Sequence, residues 1–234
     1  MKRILAGTLG LLALTIVQPA VAADLVSKAP YEASSWSWTG FYIGGTAGYG
    51  WEQIVSPPSP GQFGPPAPTG GLWGGQVGAD YQFGSRWVVG AEFDGAIARI
   101  ENSLIGPDPL VPTTLLAQTA KLNSLMLARG RFGFAWDDTL FYVSGGAAWA
   151  QWQILTWSSL GGGGGPQAVT DTQTIHGPAF GGGAEKRLWR DLTARVEYLY
   201  VRSDPFSVNG LGGVVPGVHS DIQTVMVGVN WLFH

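Results

Sequence analysis

Seven acidic and basic residues are candidates for one shared site: Glu92, Asp94, Arg129, Arg131, Glu185, Arg195 and Glu197. Glu92 and Asp94 are two apart, as are Arg129 and Arg131, and Arg195 and Glu197. That separation puts both side chains on one face of an extended strand. Carboxylates and guanidiniums aimed at a shared interior have two uses. They can line a pore or an acid–base site, or they can pair into a salt-bridged plug that fills a narrow lumen. A buried charge requires a partner, and both signs are present, so the plug is the expected arrangement.

Other chemistries lack their residues. His176, His219 and His234 are far apart and show no metal-ligand spacing, so they read as rim or surface side chains. His219-Ser220-Asp221 supplies triad residue types, but consecutive residues of an extended chain cannot reach triad geometry. No phosphate loop, nucleophile elbow or HExxH is present. Gly44-Gly45-x-x-Gly48 has no helix after it and does not read as a dinucleotide site. With no cysteine, thiol catalysis, disulfides and zinc fingers are excluded. The expectation is a protein with no catalytic residue, cofactor or metal.

The charges need strands to hold them inward. In the closing segment, residues 222–233, Val225, Val227, Val229, Trp231 and Phe233 share one parity, against Thr224, Met226, Gly228 and Asn230. One face suits lipid and the other a polar interior. Seven earlier segments repeat this: residues 39–51, 72–83, from 87 to about 97, about 121–136, 139 to about 153, 174–188, and from 192 to about 200. The fifth has small or apolar residues on both faces, so its parity stays open. The sixth contains Pro178, which removes a ladder donor and predicts a frayed or bulged end there.

Long and short connections alternate between these segments. Gly84-Ser85-Arg86, Asp137-Asp138 and Trp189-Arg190-Asp191 are tight turns. A Pro/Gly-rich stretch, residues 99–120, a run of glycines at 161–165 and residues 204–221 are the long connections. That alternation predicts an all-β, eight-stranded antiparallel transmembrane up-and-down β-barrel, with long loops outside and both termini on the tight-turn side. Eight strands enclose room for side chains rather than a channel. Trp51, Trp73, Trp87, Trp136, Trp189 and Trp231 fall near strand ends, where aromatic girdles meet headgroups, while Trp152 and Trp157 read as packing on loops. Arginine at Val227 should cost about 2–4 kcal/mol, and less at inward Thr224.

The N-terminus reads as an export signal: Met1-Lys2-Arg3, an apolar run over residues 4–17, then Ala20-Val21-Ala22-Ala23. Residues 1–22 are the expected signal peptide, with cleavage after Ala22 or Ala23. Residues 23–38 form an exposed periplasmic leader, and residues 39–234 the barrel. Removing Lys2 and Arg3 lowers the basic count from 13 to 11 against 16 acidic residues, a net of −5. Mild acidity argues against a nucleic-acid partner. Only 12% of residues are charged, with 36 glycines and 11 tryptophans, which suits strands whose outer face must stay uncharged.

Several phrases resemble a known family. Trp38-Thr39-Gly40-Phe41-Tyr42-Ile43-Gly44-Gly45 is similar to the opening strand of small alphaproteobacterial outer-membrane surface antigens, of the opacity-protein/OmpA-like barrel family. Arg129 to Phe134, Tyr142 to Ala148 and Val196-Glu197-Tyr198 resemble later strands of that family. His234 after Phe233, and Lys186 in place of an apolar residue, depart from it. The resemblance implies an integral outer-membrane protein that stabilises the envelope and acts as a surface antigen, without catalysis. Its partners would be membrane lipid and lipopolysaccharide, periplasmic chaperones and the barrel-assembly machinery, with Phe233 as assembly signal. Its outer loops would face a host or surface ligand. A small-conductance passive porin is the alternative, and a barrel enzyme acting on lipid A or peptides is the third reading.

Overall fold

Pairing of the last strand with the first closes the chain into a ring. The computed structural model describes residues 36–57, 66–108, 113–159, 166–211 and 213–234. The expected signal peptide, most of the leader and the glycine run at 161–165 lie outside the described residues. Nine strands form among those described: β1 Gly40–Val55, β2 Thr69–Phe83, β3 Trp87–Pro107, β4 Leu115–Trp136, β5 Thr139–Ser158, β6 Gln167–Trp189, β7 Leu192–Arg202, β8 Phe206–Gly210 and β9 Gly213–Phe233. Eight of them pair antiparallel in the order β1 to β7 and then β9. β9 then pairs with β1 from Phe41↔Phe233 to Val55↔His219 and closes the barrel. The eight-stranded architecture is the expected one.

The tight turns fall at the expected residues. Gly84, Asp137 and Arg190 all take positive φ, at 60°, 50° and 46°. Left-handed backbone at a turn is cheap for Gly and tolerated by Asp, so two of the three turns follow from residue type. Arg190 has no such excuse. Its conformation is imposed by the β6–β7 hairpin.

The long connections differ from expectation. Residues 99–120 are not an irregular loop, because β3 runs to Pro107 and β4 starts at Leu115. The last connection, residues 204–221, is a β8–β9 hairpin whose pairs include Phe206↔Val218 and Gly210↔Gly213. Both stretches contain alternating Val, Leu or Thr that extend ladders already begun. The prolines fall at strand ends or outside the described residues, except Pro216 in β9. Pro178 lies inside β6 opposite Ala147 of β5. Its neighbour on the same side, His176, accepts from the Asp204 N–H (2.7 Å), so the proline nitrogen faces β7. It sits where the β6–β7 ladder ends at Ala179↔Val201, so the missing donor does not break that ladder.

The interior has three layers. At the tight-turn end Trp38, Tyr42, Val88, Ala135, Leu140, Tyr142 and Leu232 form an apolar cluster, with Trp36 packed on it. The leader was expected to be exposed to its end at residue 38. Instead Trp38 is only 1% exposed and its backbone N–H donates to Gln82 Oε1 (2.8 Å). An indole is too large an apolar surface to leave in water beside an open barrel mouth. Above this plug lie the charges, and above them a second apolar cluster that includes Leu72, Ile100, Leu122, Leu125, Leu127, Trp152, Leu199 and Ile222. The hairpin caps it with Val208, Val215, Val218 and Phe206.

The upper cluster resolves the parity of β5. Tyr142, Ala148, Ala150, Trp152 and Ile154 point inward and are buried, while Phe141, Val143 and Trp149 point outward. Alternation was invisible there because both faces are apolar.

Candidate functional site

The middle layer is a buried ion-pair network. β3 brings Glu92 and Asp94, β4 brings Arg129 and Arg131, β6 brings Glu185, and β7 brings Arg195 and Glu197. All seven side chains point inward and are buried. Arg129 is the hub. Its Nη2 donates to Glu92 Oε1 (2.7 Å) and Asp94 Oδ2 (3.0 Å), and its Nη1 donates to Glu197 Oε1. Arg195 bridges Glu92 and Asp94 from the other side, the latter at 3.0 Å.

Arg131 forms a second focus. It donates through Nε and Nη2 to Asp80, the first at 2.7 Å, and through Nη1 to Glu185 Oε2 (2.9 Å). Its guanidinium lies 4.6 Å from the Tyr42 ring centroid and 5.3 Å from that of Tyr142. Two aromatic faces thus shield it where the charges meet the lower plug.

Five carboxylates face three guanidiniums once Asp80 is included. Neutral donors make up the difference. Tyr42 Oη–H donates to Glu92 Oε2 (2.6 Å), Asn230 Nδ2 to Glu185 Oε1 (2.8 Å), and Thr193 Oγ1 also to Glu185. Gln76 reaches Asn230. Space comes from glycine on β6: a Cβ on Gly181 would lie 2.7 Å from Ser144 Oγ and 2.9 Å from Glu197 Oε1. Asp80, Tyr42, Thr193 and Asn230 were not among the seven candidates. Asp80 shares the parity of Gln76 and Gln82 in residues 72–83, a face opposite Trp73, Val77 and Tyr81, so its inward direction was legible. The other three carry no formal charge, so a search for charges passes over them.

Every carboxylate of the network is held by a guanidinium and sealed between apolar layers, an arrangement that neutralises buried charge. It leaves no carboxylate facing solvent. The triad types at 219–221 diverge: Ser220 is buried and donates to Glu52, while His219 Nε2 meets Arg202 (3.2 Å) and Asp221 accepts from Tyr200 (2.9 Å). His176 lies 3.4 Å from Asp204, and His234 lies 3.6 Å from Asp191. Among the described residues no group of three or more His, Cys, Asp or Glu could hold a metal ion.

The tryptophans sort by face. Trp73, Trp87, Trp136, Trp189 and Trp231 are exposed on the outer wall, and Trp51 is half-buried there. Trp152 is fully buried, its ring 5.1 Å from that of Phe206 in the hairpin. Trp157 is exposed. Phe233 faces outward opposite Phe41. His234 Nδ1–H donates to Thr39 O (3.0 Å), and the ring packs edge-on against Trp36 at 5.1 Å.

A closed antiparallel barrel with an apolar outer wall and a filled charged centre is now in view. The sequence model of a family described as outer membrane protein beta-barrel domain matches residues 9–233. The chain belongs to this family. A 31 kDa outer-membrane immunogenic protein of Brucella melitensis biotype 1 is 28% identical to this outer membrane β-barrel chain over 232 residues, covering 92% of it and 93% of the relative. Among solved structures, the attachment invasion locus protein Ail of Yersinia pestis is 13% identical with a TM-score of 0.43, covering 82% of this chain and 99% of its own. OprG of Pseudomonas aeruginosa is 14% identical with a TM-score of 0.47, covering 84% and 97%. The protein is an outer-membrane β-barrel, so its apolar wall meets lipid.

One further interior group stands apart from the network. Glu52 lies in the upper layer near the hairpin and pairs with no cation among the described residues. Ser220 donates to Oε1, and Oε2 has no hydrogen bond. An unpaired buried carboxylate costs stability. Glu52→Gln keeps the acceptor for Ser220 and removes the charge, so at pH 8 it should stabilise the barrel by about 1–2 kcal/mol. Urea titration of the folded fraction checks this, and an unchanged or lower midpoint would contradict it.

Proposed function

We propose that this outer-membrane barrel is a closed, non-catalytic structural protein that stabilises the envelope and presents its outer connections as surface antigen. The observation that carries the reading is the filled interior, with ion pairs packed between an aromatic plug and an apolar layer capped by a hairpin. The name of the Brucella relative, an immunogenic outer-membrane protein, points the same way. In this reading the seven network charges are structural, and the six outer tryptophans form the interfacial girdles. Residues 1–22 direct export. Periplasmic chaperones and the assembly machinery then receive the chain, with Phe233 in the assembly signal. Lipid and lipopolysaccharide surround the belt, and the outer connections are available to a host or surface ligand.

The porin alternative is less well supported, because a side-chain-filled lumen has no continuous water path. Planar-bilayer recording separates the two. The purified barrel should give no reproducible conductance steps that scale with salt. Steps that scale with salt and vanish when the lumen is refilled with larger side chains would overturn the closed-barrel reading.

A further inference from the structure

The outward face of β3 is apolar from Trp87 through Val89, Ala91, Phe93 and Gly95 to Ile97. Ten residue steps at about 3.4 Å, tilted by about 40°, cover about 25 Å, the height of a barrel's lipid-facing band. The next outward residue is Arg99. It therefore lies at the headgroup level on the side of the long connections.

The wall is irregular at this level. The β3–β4 register shifts between Ile97↔Ser124 and Ile100↔Leu122. The β4–β5 register shifts between Leu122↔Trp152 and Ser124↔Gln151. Both shifts meet at Asn123: against β5 it is an extra residue that bulges β4 and reverses its parity, and against β3 it stands alone opposite Ala98 and Arg99. Met126 faces outward before the bulge, and Lys121 after it. β-Bulges recur where a strand must re-aim a side chain.

The bulge opens a dent of about 380 Å³ lined by Ala98, Arg99, Ile100, Glu101, Lys121, Leu122 and Asn123. Arg99 lies over the Trp73 ring (5.3 Å to its centroid) and has no carboxylate partner among the described residues. Lys121 is 3.2 Å from Glu101. The dent thus offers two cations and an amide against one carboxylate. Directly below it, Trp73, Ile97 and Met126 are exposed apolar side chains on the lipid-facing wall.

A ligand that fits both halves carries an anionic head and acyl chains. We propose that the β3–β4 dent binds the phosphate of an outer-leaflet glycolipid headgroup, held by Arg99 and Lys121 with the Asn123 amide beside them. The acyl chains lie along the wall below. The Arg99 fork suits phosphate oxygens, and Trp73 orients it from beneath. The proposal rests on the placement of the barrel with its long connections outside.

The test uses native mass spectrometry of the folded barrel in detergent, titrated with diphosphoryl lipid A or with the same lipid stripped of phosphate. The diphosphoryl form should bind at least roughly tenfold tighter, the effect of one charge-assisted contact. R99Q/K121Q should abolish that preference, and Arg202→Gln, a collar cation on the opposite wall, should leave it intact. E101Q should strengthen binding several-fold by releasing Lys121. A gain cannot come from misfolding. Equal binding of the two lipids, an unaltered preference in R99Q/K121Q, or weaker binding by E101Q would overturn the proposal. So would displacement by inorganic phosphate at matching concentration, which would mark a site for a free anion. None of these results bears on whether the lumen conducts, so the closed-barrel reading stands or falls separately.

Discussion

Replacing Arg129 with methionine should lower the barrel's unfolding free energy by about 3–5 kcal/mol, the penalty for leaving buried charges without their partner. The guanidinium touches Glu92, Asp94 and Glu197 at once, so its loss takes one cation from three carboxylates. Arg195 still reaches all three, which keeps the effect within that range rather than beyond it. Methionine preserves much of the volume, so the deficit reports charge rather than a cavity. Urea titration of the folded barrel in detergent gives the midpoint. Adding Glu197→Gln to Arg129→Met should restore part of the loss, because one of those negative charges is then removed. Non-additivity of that kind is expected of residues sharing a network. An Arg129→Met midpoint equal to wild type would show that the network does not hold the barrel together.

Val227→Arg should cost about 2–4 kcal/mol when the barrel is folded in lipid vesicles, since it places a charge on the lipid-facing wall. Val227 is exposed on β9, between Ala47 of β1 and Val196 of β7, inside the apolar belt. The contrast expected at Thr224 changes with the structure. An inward position was expected to accept arginine more cheaply, as a polar lumen would. Thr224 is instead fully buried in the upper layer, and its methyl is 3.1 Å from where a Cβ on Gly50 would lie, with Ile100 alongside. Overpacking makes Thr224→Arg at least as costly, and independent of the solvent around the barrel. Comparing vesicles with detergent separates the two. The Val227→Arg deficit should shrink in detergent, where water and headgroups reach the side chain, and the Thr224→Arg deficit should persist. Equal behaviour of both variants would mean that the parity of β9 is misassigned.

Both results turn on what fills the inner face, and alternation reports only a contrast between faces. In β7 the contrast is strong: Ala194, Val196 and Tyr198 face out, against Arg195 and Glu197 facing in. Strand, parity and inward charge were all legible there. In β5 the contrast disappears above Ser144, because Ala148, Ala150, Trp152 and Ile154 meet an apolar layer inside while Val143 and Trp149 meet lipid outside. Similar side chains on both faces leave no period to read. Trp38 shows the same limit. It reads as part of a polar leader until the barrel mouth it fills is known. The bulge at Asn123 is legible only as a shift between two ladders, since one strand's sequence carries no register.

The barrel, its eight-strand ring, its tight turns and the inward direction of seven charges were legible in the amino-acid sequence alone. These follow from local rules, a period of two and the backbone preferences of turn residues, which each segment carries alone. Which charges meet, that Asp80, Tyr42, Thr193 and Asn230 join their hydrogen bonds, and that apolar layers seal them on both sides emerge only in the folded barrel. Those outcomes depend on the stagger between strands around a closed ring. Closure alone determines which residue of one strand stands at the height of another across the lumen.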